Sequence, residues 1–291
     1  DPATWAKANP NLGVSVNMAY LEAEAKKARE NPRHENDFKR YHLNRWVEQD
    51  VRWLQMDRWK ACSRHPERAD YWRELEAELR GRPCFGGIDL SATIDITALV
   101  WVFPPAGSDQ RLVWLCRFFL PEDSVLERVR RDRVPYDRWA REGAITLTPG
   151  NVVDYEAVLQ QAIADSELFD VRGLAIDRWN DTWISPKLLE HFGEERFSRF
   201  AQTSYALSPP SKELERQVIR GTFEHGNHPV LRWMASNVAI DMNGAGDIKP
   251  VKNKSTEKID GIVAGIMGTG LAMPDRGPMR SVYEDRGFVI V

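Results

Sequence analysis

The stretch Phe85-Gly-Gly-Ile-Asp-Leu-Ser91 is the most informative part of this chain, because its short apolar run ends in an acid, Asp89. A second run, Gly173-Leu-Ala-Ile-Asp177, ends in the same way. Short apolar runs bounded by turn residues are typical of buried strands, and α/β proteins gather ligands at the C-terminal ends of such strands. Asp89 and Asp177 are therefore predicted to end two core strands at a functional edge. The alternative is that either acid caps a following helix or turn.

Asp260 lies in a predicted helix within the stretch Ser255-Thr-Glu-Lys-Ile-Asp-Gly-Ile-Val-Ala264. A carboxylate on the apolar side of a helix is costly unless something binds it. Gly261 and Gly265 would let this helix approach a sheet closely. The alternative is a solvated acid in the first turn, which the helix dipole favours. The apolar stripe of the helix comprises Ile259, Ile262, Val263, Ile266, Met267 and Leu271.

Three converging carboxylates are the oxygen ligands that a divalent metal ion prefers. The pattern therefore points to metal-dependent phosphodiester chemistry. Asp95 follows Asp89 across the predicted turn Ala92-Thr-Ile94 and is predicted to return toward the same site from the start of the next strand. The alternative is an ordinary turn residue.

Four lysines precede Asp260 closely, and a cationic stretch beside a cluster of acids suits a phosphate backbone. The alternative is a solvated loop whose lysines serve solubility. These candidate DNA-binding residues are Lys249, Lys252, Lys254 and Lys258.

Other motifs are weaker. His225-Gly-Asn-His228 has too few ligands for a zinc site and is interpreted as a polar loop. Gly265-Ile-Met-Gly-Thr-Gly270 lacks the lysine of a phosphate loop, so we expect no ATPase activity from this chain. The run Arg128 to Arg133 is interpreted as an ordinary charged helix face.

The composition is that of a soluble globular protein, with 42% hydrophobic and 29% charged residues in 291. No apolar run approaches the roughly 18 residues needed to cross a membrane. Three widely spaced cysteines suggest no disulfide framework, so a reducing cytosol is expected. A net charge of -3 means that any nucleic-acid binding must come from local basic patches. Because the chain starts at Asp1 without a methionine, we expect it to be a fragment of a longer protein.

The pattern of apolar residues changes at the turn-forming stretch Gly81-Arg-Pro83. It predicts a helical segment, residues 1–82, and an α/β domain, residues 83–291. Three consecutive strands followed by alternating helices and strands predict a mixed sheet flanked by helices. The predicted strands are Phe85–Leu90, Thr97–Phe103, Arg111–Phe119, Val171–Ile176 and Phe197–Gln202, with a hairpin of Val238–Met242 and Asp247–Val251. The predicted helices are Met18–Glu30, Phe38–Trp46, Asp70–Leu79, Glu122–Arg133, Tyr155–Ala164, Ser185–Phe192, Lys212–Arg220, Pro229–Asn237 and Ser255–Met273.

In their order along the chain, several of these motifs resemble the nuclease domain of tailed-bacteriophage terminase large subunits, over about residues 83–291. Residues 1–80, with Trp53-Leu-Gln-Met-Asp-Arg-Trp59, resemble the segment that links the packaging ATPase to that nuclease. The motifs that carry the resemblance are Gly86-Gly-Ile-Asp-Leu-Ser91, Asp95-Ile-Thr-Ala98, Ala175-Ile-Asp-Arg178, Met234-Ala-Ser-Asn237 and Lys254-Ser-Thr-Glu-Lys-Ile-Asp260.

The resemblance implies a ribonuclease-H-like α/β fold and cleavage of concatemeric viral DNA by two Mg²⁺ or Mn²⁺ ions. It implies that Asp89, Asp177 and Asp260 bind the metals, and that Asp95 is an accessory acid present in some members. Asp89 is expected to bridge both ions, Asp177 and Asp260 to complete one each, and Lys258 or its neighbours to steady the scissile phosphate.

The implied partners are double-stranded DNA, the portal protein, the small terminase subunit and an ATPase domain in cis, all in the host cytoplasm. The Walker motifs of that ATPase are absent from these 291 residues. Two alternatives remain open: another ribonuclease-H-like nuclease, such as a junction resolvase or transposase core, and a non-catalytic module that docks on the portal and DNA.

Overall fold

A computed structural model describes residues 2–30, 38–45, 53–90, 96–177, 183–252 and 258–273. Its N-terminal part is helical, as predicted, and Met18–Glu30 has the predicted bounds. The predicted helix from Phe38 is shorter, because the described turn is π-helical and ends at His42. The elements of this part are α1 (Pro2–Ala8), α2 (Met18–Glu30), the π-helical turn Phe38–His42, α3 (Met56–Cys62) and α4 (Trp72–Leu79).

The remaining elements alternate between strand and helix after an initial run of strands. In chain order they are β1 (Pro83–Asp89), β2 (Thr97–Phe103), β3 (Leu112–Pro121), α5 (Val125–Asp132), α6 (Tyr136–Arg141), β4 (Thr146–Thr148), α7 (Tyr155–Leu168), β5 (Asp170–Asp177), α8 (Ile184–Phe192), β6 (Phe197–Phe200), α9 (Ser204–Arg220), β7 (Phe223–Glu224), α10 (Pro229–Asn237), β8 (Val238–Met242), β9 (Ile248–Lys252) and α11 (Asp260–Ala272).

Seven of the described strands form one mixed sheet in the order β4-β3-β2-β1-β5-β6, with β7 beside β3. The first three strands along the chain are antiparallel neighbours, whereas β5 and β6 run parallel to β1. β8 and β9 form a separate antiparallel hairpin. This arrangement confirms the predicted ribonuclease-H-like mixed sheet flanked by helices.

Both faces of the sheet are buried, which explains why its strands are apolar nearly throughout. Along β2, alternate residues enter two different clusters. Ala98, Val100 and Val102 pack toward α9, α10 and α11, and Leu99, Trp101 and Phe103 pack toward α4, α7 and α8. The face covered by α11 is the one that carries the candidate site.

Close contact between α11 and the sheet depends on small residues. A Cβ on Gly87 would lie 2.0 Å from the carbonyl oxygen of Ala264, and one on Gly265 would lie 2.3 Å from the ring of Trp114. The predicted role of Gly261 is also confirmed, since a Cβ there would lie 2.7 Å from the ring of Phe118. Because these glycines have no side chain, the backbone of α11 can lie in close contact with the strands.

Residues before the sheet divide into two groups. Trp5, Leu21 and Phe38 belong to a small cluster of their own. In contrast, Trp59 of α3 and Leu75 of α4 are buried in the two main clusters on either face of the sheet. The domain boundary at residue 82 stays a prediction. Helices α3 and α4 precede that boundary, yet they are buried in the same clusters as the sheet.

Some elements differ from their predicted bounds for identifiable reasons. Helix α9 begins at Ser204 rather than Lys212, and Pro209 and Pro210 lie inside it. Proline usually ends a helix, but tertiary packing overrides local propensity here. The short elements α3, α6, β4 and β7 were not predicted, because they are too brief for a periodic pattern. Within the described part of the chain, none of the helices has the length and apolar character required to cross a membrane.

Candidate functional site

Asp89 and Asp177 end neighbouring parallel strands at the same level. Ile88 pairs with Ile176 in the register of β1 and β5, so each aspartate follows one half of that pair. Side chains alternate along a strand, so Asp89 shares a face with Gly87, which lies against α11. The two carboxylates therefore lie beside each other on the α11 side of the sheet, at its C-terminal edge.

Asp260 reaches the same edge from the helix. Going along α11 from Ala264 to Gly268, the contacts on β1 move back from Gly87 to Phe85 and Gly86. The helix therefore runs antiparallel to β1, and four helical residues, which rise about 6 Å, match about two strand residues. One turn before Ala264, Asp260 falls at the level of Asp89. It is 7% exposed.

The electrostatics of Asp89 show that the three acids interact. Its pKa is raised well above the ordinary value, first by burial and then by the charges of Asp260 and Asp177. A hydrogen bond from Gln202 and the charge of Lys252 act in the opposite direction. The structure thus brings together the three acids that the sequence singled out, in an arrangement that disfavours three negative charges at once.

Carboxylate oxygens in this number suit Mg²⁺ or Mn²⁺, and a divalent cation would relieve the mutual repulsion at Asp89. The side chains do not form a closed cage: among the described residues, no three or more His, Cys, Asp or Glu side chains lie close enough to hold a metal ion. The donor chemistry fits the expected ions, and water and substrate oxygens would supply the further ligands of a bound ion.

Three of the four predicted lysines lie among the described residues, and they differ in exposure. Lys252 is exposed and its charge acts on Asp89. Lys249 is half-buried, and Lys258 is only 6% exposed, with its carbonyl oxygen accepting a hydrogen bond of 3.3 Å from Asn237 Nδ2. Asp95 and Lys254 lie outside the described residues.

Gln202 is a site residue that the sequence interpretation missed. Its Nε2 donates a hydrogen bond of 3.2 Å to Oδ1 of Asp89. Only Ala201 separates Gln202 from the end of β6, and Thr203, which caps α9 by accepting a hydrogen bond from Ala206 N, follows it. Because β6 runs parallel to β5, its C-terminal end lies at the same edge as Asp177. The strand-end rule applied to β6 could have identified it.

The start of α11 is held by α10. Asn237 Nδ2 binds the Lys258 carbonyl, and Gly261 N donates to Sδ of Met234 over 3.1 Å. These contacts hold the backbone on both sides of Asp260 against α10.

His225 to His228 form a loop between β7 and α10, as predicted, but both histidines are buried. His225 stacks on Trp59 with 4.7 Å between ring centroids, and its Nε2 binds Trp59 O over 2.8 Å. Burial lowers the pKa of His225, and burial together with the charge of Arg117 lowers that of His228 to about 3. The two histidines of this motif therefore serve packing rather than metal binding. The predicted charged face also needs correction, since Arg128 is 1% exposed and lies 5.7 Å from the Tyr136 ring.

The chain is similar to several known proteins. A family model described as terminase large subunit, endonuclease domain, matches residues 1–274. The chain is 32% identical over 279 residues to "Terminase, large subunit" of Enterobacteria phage HK97, covering 92% of this chain and 51% of that protein. It is 31% identical over 281 residues to "Protein YmfN" of Escherichia coli (strain K12), covering 94% and 60%.

A solved structure is similar over most of the chain. The crystal structure of the HK97 bacteriophage large terminase matches with a TM-score of 0.63 and 30% identity, covering 93% of this chain and 54% of that one. The present chain thus spans between half and three fifths of the length of these relatives.

Proposed function

This chain belongs to the family of terminase large subunit endonuclease domains, and we propose that it cleaves concatemeric double-stranded viral DNA during genome packaging. The observation that carries the proposal is the interaction of Asp89, Asp177 and Asp260 at one edge of the sheet, where burial and the charges of the other two acids raise the pKa of Asp89. Such a cluster has a physical reason to bind a divalent cation.

Two Mg²⁺ or Mn²⁺ ions would, when bound, activate a water molecule and stabilise charge on the leaving oxygen of the phosphodiester. Asp89 interacts with both Asp177 of β5 and Asp260 of α11, which supports the expectation that its carboxylate would be a ligand of both ions. Asp177 and Asp260 would complete one ion each, and Asp95 would act from the edge of the site.

The chain's own residues prepare this site before substrate arrives. Gln202 occupies Oδ1 of Asp89 and so fixes the rotation of that carboxylate. Asp177 ends a central strand, and Asp260 begins a buried helix, so neither backbone position can shift easily. Rigid supporting elements of this kind are what an active site needs to hold ligands in register. The positive charge of Lys252 favours a phosphate beside Asp89.

The proposed partners follow from the family. The relatives are longer than this chain, which supports an ATPase domain in cis, and the portal protein and small terminase subunit would bring the nuclease to its DNA. Cys62, Cys84 and Cys116 are buried free thiols, which supports work in a reducing compartment such as the host cytoplasm.

The direct test incubates the protein with supercoiled plasmid and Mn²⁺ or Mg²⁺, with and without chelator. We expect nicking and linearisation that chelator abolishes and that Asp177→Asn removes. Asp170→Asn is the matched control, because Asp170 lies at the opposite end of the same strand and pairs with Arg172 on the surface. Nicking that survives chelator, or that both variants retain, would show that these acids are not the nuclease site. Binding of DNA without any cleavage would favour a docking module.

A further inference from the structure

The outer face of α9 carries a row of exposed side chains that begins beside the candidate site. Exposed residues recur along this helix at the spacing of one helical face. Apart from Ile219, which is also exposed, they are Tyr205, Pro209, Lys212, Arg216 and Arg220. Three of these five side chains are cationic, and Tyr205, the first of them, is 82% exposed. We name these five residues the α9 stripe.

The orientation of the α9 stripe is fixed by the opposite face of the helix. Leu207, Leu214 and Val218 are buried in the cluster that contains α11. Ser208, also buried, accepts a hydrogen bond of 3.1 Å from the backbone nitrogen of Ile248 in β9. Since the inner face is held on two sides, the α9 stripe must face outward.

The α9 stripe keeps a net positive charge. Lys212 Nζ donates to the Gly246 carbonyl oxygen over 2.8 Å, which leaves its charge without an acidic counterpart in that contact. Arg216 forms an ion pair with Glu213, and Gln217 also donates to Glu213 over 2.7 Å. At the far end, Arg58 of α3 donates to the Ile219 carbonyl oxygen over 3.5 Å and adds another exposed cation.

The α9 stripe is continuous with the carboxylate cluster. Gln202, which binds Asp89, immediately precedes the N-cap Thr203. From Tyr205 to Arg220 the helix extends about 22 Å at 1.5 Å per residue. At 3.4 Å per nucleotide along one strand, this length corresponds to about six base pairs of duplex.

We propose that the α9 stripe binds the phosphate backbone of the duplex arm that leads away from the cleavage site. The inference rests on the proposed nuclease function and extends it, because it places a DNA-binding surface outside the lysines that precede Asp260. Cations on an exposed helix face contact phosphates without reading bases. The α9 stripe therefore contributes affinity and the direction of the DNA, and no sequence preference.

The test compares Lys212→Ala/Arg216→Ala/Arg220→Ala with Arg138→Ala/Arg141→Ala/Arg172→Ala, which removes the same charge from exposed arginines elsewhere. Both are made in the full chain with Asp260→Asn, so that DNA stays intact. Fluorescence anisotropy then gives duplex affinity as a function of salt. We expect the slope of log affinity against log salt to fall by about 2 to 3 in the α9 variant, since each phosphate contact contributes about 0.9. The control should keep the slope.

Duplex length provides a second readout. This readout uses proteins that retain Asp260 and duplexes in which the cleavage position is fixed and one arm is shortened. Shortening that arm below about six base pairs should weaken cleavage by the parent protein as much as the α9 substitutions do. In the α9 variant, the same shortening should weaken cleavage little further. Thermal unfolding confirms that all variants fold. If the parent protein cleaves DNA but the α9 variant keeps its salt slope, the α9 stripe is not a DNA surface and the nuclease function stands. If the folded parent neither binds nor cleaves DNA, both proposals fail.

Discussion

Asp89 occupies a position that opposes its own charge. Burial, Asp260 and Asp177 raise its pKa, and Gln202 and Lys252 compensate only in part. The metal-free fold therefore favours the neutral form of Asp89 more than the unfolded chain does, and this difference contributes to stability at acidic pH. This contribution to stability is fully present below the unfolded-state pKa of about 4 and is lost as the pH rises through the higher folded-state pKa.

Asp89→Asn should accordingly stabilise the metal-free protein at neutral pH, by on the order of 1 kcal/mol. The gain should shrink as the pH falls toward about 4, because the wild-type carboxyl is then neutral as well. Urea unfolding in chelator across this pH range measures the difference. Asp170→Asn, which removes an exposed acid, is the control and should show no such gain. A variant that is less stable than wild type at neutral pH would mean that Asp89 is not under electrostatic stress.

Gln202 allows a graded test at the same scale. Gln202→Ala should weaken cleavage and Mn²⁺ affinity about 10- to 100-fold, because it frees the orientation of Asp89 without removing a ligand. Gln160→Ala serves as control, since the Gln160 side chain is exposed and donates to Glu156 on the surface. Isothermal titration with Mn²⁺ and plasmid cleavage give the two readouts. Unchanged metal affinity in Gln202→Ala would remove Gln202 from the site.

At the scale of elements, the site depends on how closely α11 lies on β1. Gly87→Ala would place a methyl group against the Ala264 carbonyl oxygen, a backbone atom that cannot rotate away. We expect a loss of about 1 to 3 kcal/mol in stability and weaker metal-dependent cleavage, because Asp260 moves with the helix. Gly244→Ala has open space around it and should cost little. Denaturant unfolding and cleavage, measured together, check both changes, and a fully stable Gly87→Ala would contradict the close packing.

The sequence predicted those elements whose pattern is long and regular. β2 and α10 have their predicted bounds, and the acids of β1, β5 and α11 could be found because a charge at the end of an apolar run stands out. Gln202 is not a charged residue beside an apolar run, so it could be identified as a site residue only once β6 was known to lie beside β5. The burial of Arg128 depends on the Tyr136 ring, a contact that no local pattern encodes.

At the scale of the whole molecule, residues before the sheet are fastened to it by a buried acid. Glu224, which is 0% exposed, accepts hydrogen bonds from Arg64 N at 2.8 Å and from Gly226 N at 2.8 Å. Asn227 Nδ2 binds the carbonyl oxygens of His65 and Arg68 over 2.7 and 3.0 Å. The segment around residues 64–68 is thus tied to the loop that follows β7.

Truncation distinguishes two positions for the domain boundary. Deleting residues 1–45 removes a separate small cluster and should leave cooperative unfolding of the rest almost unchanged. Deleting residues 1–82 exposes the partners of Trp59, Leu75 and Glu224 and should abolish cooperative unfolding or cause aggregation. Circular dichroism melting compares the two. A stable, active protein lacking residues 1–82 would support the boundary at residue 82.

The central claim is that Asp89, Asp177 and Asp260 jointly hold divalent metal, and anomalous diffraction from crystals soaked in Mn²⁺ tests it most directly. We predict anomalous peaks at the C-terminal edge of β1 and β5, within metal-ligand distance of carboxylate oxygens from these three residues. Crystals of Asp260→Asn should lose at least one peak under the same soak. Manganese bound elsewhere, or no peak at this edge at millimolar Mn²⁺, would contradict the account.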